Sequence, residues 1–265
     1  MNGRAALLAT GAMGLALLAA SAPGAGVPLA TFLTEVEEAA RSAPGARADL
    51  QIRVTTLDAP EATAPAGGQE PDHESDHESD QEGVVISRSG TTYVELRSPP
   101  VRVVIPADDT PIRTLPAAAG AAAGSTSADD PLGDTPLIVD DFRSFRTASL
   151  RMPQVTSETK HTLLVSAAPA TQSPWVLLAI MFDREKLLAR RVQYYERTIS
   201  NLVRVREASD FVRIGGVWHP GHLTITDYRT RAVADVTLRW TADAAVPPGL
   251  FDASATPPPP LLGKR

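Results

Sequence analysis

The sequence of 265 residues has no cysteine. That excludes disulfides, thiolate metal sites, cysteine nucleophiles and a lipid anchor on an N-terminal cysteine. It lacks a G-x-S-x-G elbow around Ser166, Ser173 or Ser200, a P-loop and a dinucleotide fingerprint. It also lacks the positive charge of a nucleic-acid binder, since the formal net charge is −6. Past residue 20, no stretch approaches the roughly 18 apolar residues of a membrane span. What remains is 43% hydrophobic, enough for a buried core, with 23 prolines and 18 glycines that point to irregular segments.

The charge is unevenly placed. Glu70 to Glu82 reads EPDHESDHESDQE, with seven acids and no Lys or Arg. From Arg184 to Arg239 there are eleven basic and six acidic residues, an excess suited to a solvated sheet face or an anionic partner. The N-terminus reads as an address. Arg4 precedes an apolar run, Ala5 to Ala20, and Ala20-Ser21-Ala22 has the small-x-small form of a cleavage site. The expectation is a signal peptide over 1–24, cut near residues 22–24, and a soluble periplasmic product.

One helix stands out. Leu29, Phe32, Leu33, Val36, Ala39 and Ala40 recur at helical spacing between Pro28 and Pro44-Gly45, with Glu35, Glu37 and Glu38 opposite. Residues 48–57 read as a strand. Segments 58–82 and 114–131 read as disordered insertions, and 253–265 as a Pro-rich disordered tail. Between them run short strands: a hairpin around Ser89-Gly90, Val101 to Ile105, Ser149 to Val155 and Lys160 to Ser166. Asp140 to Phe145 reads as a short helix. Trp175 to Phe182 is apolar on both faces, so a strand covered on both sides is expected. Further strands follow to Trp240, with a tight Gly215-Gly216 turn. In several, apolar and polar residues alternate, which sets Val203 and Val205 against Arg204 and Arg206, and Leu223 and Ile225 against Thr224 and Thr226. The predicted architecture is mainly β: a strongly curved antiparallel sheet of about ten strands, an unclosed barrel, with one or two helices on its concave face. Such a sheet has more apolar face than two short helices hide. A filled core and a ligand cavity both satisfy that surplus.

The order of these elements carries a family resemblance. An exported chain opens with VPLATFLTEVEEAARSAPGARADLQIRV, continues through TTYVELRSPPVRVVI and LGDTPLIVDDF, and closes with a long strand-rich segment. That segment holds Asp183, Tyr194-Tyr195, Gly216-x-Trp218-x-Pro220 and Leu250-Phe251. This resembles the outer membrane lipoprotein-sorting proteins with a LolA-like fold, in a branch without assigned function, and covers a domain at 27–252 outside the insertions. The resemblance implies a carrier that binds lipoprotein acyl chains or another lipid, rather than an enzyme. An inner-membrane transporter and an outer-membrane acceptor are the partners it implies. The same fold in envelope sensors implies, as the alternative, a protein-binding regulator.

For a carrier, Leu29, Phe32, Leu33 and Val36 would cover a groove lined by Val203, Val205, Leu223, Ile225, Val236, Leu238 and Trp240. The helix would then act as a lid. No catalytic residue, cofactor or metal site is expected. His73 and His77 lie in low complexity, and His219 and His222 flank Pro220-Gly221, which breaks any regular helix. Asp140-Asp141 reads more readily as helix capping than as a catalytic pair.

Overall fold

The computed structural model describes residues 27–57, 79–116, 123–242, 246–247, 249–252 and 258–262. The leader segment, His73 and His77 lie outside them. Helix α1 (Leu29–Arg41) begins after Pro28, whose fixed φ suits a helix entry, and buries Phe32, Leu33 and Val36. The remaining elements are strands and two short 3₁₀ turns, Val139–Phe142 and Thr147–Ser149.

The N-terminal arm comprises β1 (Ala46–Thr56), β2 (Ser79–Arg88), β3 (Thr91–Leu96), β4 (Val101–Ile105), β5 (Ile112–Thr114) and β6 (Gly124–Thr126). The C-terminal arm begins with β7 (Leu150–Glu158), β8 (Thr162–Pro169), β9 (Trp175–Asp183), β10 (Leu188–Glu196) and β11 (Leu202–Ser209). It ends with β12 (Val212–Ile214), β13 (Val217–His219), β14 (His222–Asp227) and β15 (Ala232–Ala242). Thirteen of these strands form one antiparallel sheet in the order β6-β5-β4-β3-β2-β1-β15-β14-β11-β10-β9-β8-β7. The sheet is not closed. Strands β12 and β13 form a separate hairpin.

Within each arm the main-sheet strands pair with their neighbours in sequence, apart from the inserted hairpin. Among the described residues, the ladder that joins the arms is β1 with β15, from Ala46↔Ala242 to Thr56↔Ala232. Because paired residues share a face, Leu50 sits beside Leu238, and Ile52 beside Val236, on the concave side. Arg47, Asp49 and Arg53 point outward from the same strand.

Two fillers occupy the concave face. Over one part, Leu132, Leu137, Val139 and Phe142 of the β6–β7 connection pack with Leu50, Ile52, Val85, Leu223, Ile225, Val236 and Leu238. Over the other, α1 presses Phe32, Leu33 and Val36 onto Val165, Ile180, Phe182, Val192 and Tyr194. Phe182 meets Phe32 and Phe145 edge-on, with ring centroids 5.6 and 5.0 Å away.

Several sequence expectations change. Residues 79–82 are not a loop: they open β2, where Asp80 faces Arg53 and Glu82 faces Arg97. The second insertion narrows too, since residues 124–126 pair with β5 and Thr126 Oγ1 donates to Asp130. Residues 217–226, within the strand-rich stretch expected up to Trp240, form two strands divided at Pro220-Gly221. Strand β9 is covered on the concave side only, and Val176 is 42% exposed on its other side.

The Pro-rich tail is partly docked. Leu261 and Leu262 pack on the outer face of β2–β4 with Val84, Ile86, Tyr93 and Val104. Their amides donate to the buried Glu95 carboxylate at 2.9 and 3.1 Å, and Arg102 donates to the Pro258 carbonyl at 2.6 Å. Glu95 also accepts from the Tyr93 hydroxyl, so this face holds a saturated polar cluster within apolar surroundings.

Candidate ligand cavity

The two fillers do not meet across the whole concave face. Between them lies a cavity of about 440 Å³. Its apolar wall includes Val36, Leu178, Ile180, Leu223, Leu238 and Trp240. That size and lining suit a single small-molecule site.

The β12–β13 hairpin forms one side. Gly215 and Gly216, at φ 56° and 92°, make its two-residue turn. A Cβ on Gly215 would lie 2.0 Å from Pro44 Cγ, so only glycine lets the hairpin seat against the chain after α1. Lys186 lies over the rings of Phe211 and Trp218 at 5.6 and 5.5 Å, and Arg213 lies 5.8 Å from Trp218 on the hairpin itself. Gly216, Trp218 and Pro220, singled out in the sequence, therefore belong to this wall.

The polar wall has two parts. The first is Asp141, behind which Arg204 is fully buried and ion-paired to it; Asp141 also accepts the Ile138 amide at 2.8 Å. Burial works against the Arg204 cation, but Asp141, Tyr194 and Asp227 outweigh it and raise its pKa. Two residues on, Arg206 faces the cavity. Its Nε is buried and has no hydrogen-bond partner among the described residues. Asp140 is the carboxylate that acts on it, from beyond ion-pair distance, while Asp140 itself lies 3.8 Å from Arg143. Burial pushes the Asp140 carboxyl up to about 6; Arg143 and Arg206 oppose the rise, and Asp141 and Asp129 add to it. Its side chain is 35% accessible and lines the cavity.

His219, also on this wall, is 7% exposed, stacks on Trp240 at 4.5 Å and leaves its Nε2 without a partner. Burial lowers its pKa to about 4, so the ring is neutral at pH 7. No cluster of three or more metal-ligating side chains occurs among the described residues.

The eleven residues expected to cover or line a groove separate in the structure. Val36, Leu223, Leu238 and Trp240 reach the cavity. Ile225 and Val236 are buried in the adjacent core, and Leu29, Phe32 and Leu33 pack under α1. The facing expected for β11 is reversed. Register places Arg206 beside Val192 and Ile225, and Ala208 beside Leu223, on the concave side. Val205 lies beside Gln193 and Thr226 on the outer side, and Val203, at a register shift, joins the cluster under α1. The physical reason is Asp141, which neutralises Arg204 and lets the strand turn its arginines inward. Arg206, Arg143 and Tyr194 were absent from the expected groove. Their traces in the sequence are the arginine row, for Arg206, and the Tyr194-Tyr195 pair, for Tyr194; Arg143 leaves none.

Three solved structures share this fold. A putative outer membrane lipoprotein-sorting protein domain from Vibrio parahaemolyticus superposes with a TM-score of 0.63 at 12% identity, over 84% of this chain and 95% of that one. A DUF1329 family protein from Desulfovibrio piger gives 0.60 at 12%, over 85% and 96%. A LolA superfamily protein from Nitrosomonas europaea gives 0.60 at 13%, over 85% and 98%. The chain thus has a LolA-like fold. No family model and no curated protein matches its sequence.

Proposed function

We propose that the chain is a periplasmic carrier that holds an acyl-bearing cargo, a lipoprotein or another lipid, in the cavity between α1 and the β6–β7 connection. The observation that supports this most is a cavity of about 440 Å³ left open on a face that is otherwise densely filled. Acyl chains cost about 0.8 kcal/mol per methylene in water, and a wall of Val36, Leu223, Leu238 and Trp240 offsets that cost. The similarity to a lipoprotein-sorting domain supports the same reading. A membrane transporter and an outer-membrane acceptor would hand the cargo on and receive it. Among the described residues no helix is long and apolar enough to cross a membrane.

The gate in this reading is not the apolar face of α1, whose Phe32 and Leu33 are locked in the core. The gate is instead the β12–β13 hairpin, seated by the Gly215 contact with Pro44 and by cation–π pairs. Native mass spectrometry of the full chain purified from the periplasm tests the proposal. Copurifying acyl lipid, lost in Ala39→Trp at the half-buried cavity wall with folding intact, is the expected result. A ligand-free protein that also ignores added fluorescent fatty acid would overturn it.

A further inference from the structure

We infer that the cavity takes a single-chain amphiphile with an anionic head, whose carboxylate or phosphate binds Arg206, beside Arg143 and His219. The inference rests on the carrier reading and specifies its cargo. Size sets the number of chains. At roughly 30 Å³ for a group the size of a water or a methylene, about 440 Å³ holds about fifteen such groups, one acyl chain rather than two or three.

Charge sets the head. Five cations reach the cavity wall: Arg143, Arg146, Lys186, Arg206 and Arg213. Arg146 donates to Asp109 and the Asp108 carbonyl, Lys186 to Asp183 at 3.0 Å, and Arg213 to the Gly216 carbonyl at 3.0 Å. Arg143 has Asp140 at 3.8 Å. Arg206 has no such direct partner among the described residues, and its buried Nε is a donor without an acceptor. The acids on the wall, Asp140, Asp141 and Glu185, are fewer, and Asp141 is committed to Arg204.

A partly desolvated guanidinium without an acceptor is costly, and a planar oxyanion is the group its fork fits. Two further buried donors without partners on the same wall, Nε of Arg143 and Nε2 of His219, offer additional hydrogen bonds. Free phosphate would leave the apolar wall unfilled, whereas a neutral lipid would leave Arg206 unmatched. An anionic head on one apolar chain satisfies both.

Calorimetric titration of the delipidated full chain with myristate, 1-myristoyl-lysophosphatidate and neutral 1-myristoylglycerol tests this. At least one anionic probe should bind on the order of tenfold more tightly than the ester, and the tighter of the two identifies carboxylate or phosphate as the head. Arg206→Gln should remove that preference, and Arg206→Lys should keep part of it. Should Arg206→Gln fail to fold, Arg143→Gln should reduce the preference in the same direction by a smaller factor. Equal binding of all three probes by the unmodified chain, or a preference that survives Arg206→Gln, overturns the anionic head and leaves the carrier reading standing. If none of the three binds, the carrier reading falls and this inference with it.

Discussion

Arg204 and Arg206 leave the same strand toward the same concave face, yet they enter different regions. Around Arg204 the interior is closed: Asp141, the Pro136 carbonyl and the Tyr194 ring surround a side chain with no exposed surface. Around Arg206 the interior is open to the cavity, and among the described residues no carboxylate lies within ion-pair distance of it. The first region shows how a sheet tolerates a buried charge, by bringing a carboxylate to it from a connection 63 residues away in sequence. The second has the charge without the partner. The contrast separates an arginine that holds the fold from one placed to meet a ligand.

The sharpest break of that contrast lies in the closed region. Phe32→Glu puts a charge among Phe182, Ile180 and Val36, and should cost more than the about 3–5 kcal/mol of a Phe→Ala core truncation. Urea denaturation should show no folded baseline. A folded variant that had lost only lipid binding would restore α1 as the lid. Next, Arg204→Met should cost about 3–5 kcal/mol, because Asp141 is left buried without its cation. Arg206→Met should cost about 1 kcal/mol or less by the same measurement, since it strands no ion-paired partner. Equal costs would erase the distinction between the two arginines.

Two titrations sharpen it further. The pKa of His219 is depressed to about 4 by burial, so its contribution to stability is full above its unfolded value near 6.5. That contribution is lost as pH falls through about 4, and it amounts to up to about 3 kcal/mol. His219→Gln should flatten the acid side of the stability profile. Asp140 runs the other way. Its raised pKa gives a contribution that is present at low pH and disappears as pH rises through about 6. Asp140→Asn should therefore raise Tm at pH 8 by roughly a degree or two and leave it unchanged at pH 4. A fall at pH 8 would mean that the Arg143 contact outweighs the burial.

Much of this architecture was legible in the sequence. The helix and the strands β1, β14 and β15 alternate or repeat cleanly because each has one dry face and one wet face. Strands β5 and β6 have three residues each, too short for a period to show. The end of the acidic repeat reads as disorder by composition, yet acids at every second position suit a strand whose outer face meets Arg53 and Arg97. Strand β11 misled because hydrophobicity assigns Val inward and Arg outward. What decided its facing was Asp141, far away in sequence. For the same reason only four of the eleven residues expected to cover or line the groove touch the cavity: a void is defined by where two fillers fail to meet, and no single strand encodes that. Leu261 and Leu262 gave no periodic signal, because a short docked segment needs only a receptive carboxylate, here Glu95.

The pairing of β1 with β15 also sets a timetable. Among the described residues the two arms share no other ladder, so an N-terminal arm growing from the ribosome carries β1 with one edge bare until residues 232–242 arrive. Closing that seam joins positions almost two hundred residues apart, the kind of pairing that makes β proteins slow to fold. A chain cut before Ala232 would expose the alternating edges of β1 and β14 together, two templates for pairing with other copies. For this molecule, completion and protection from self-association arrive in the same step, with its last long strand.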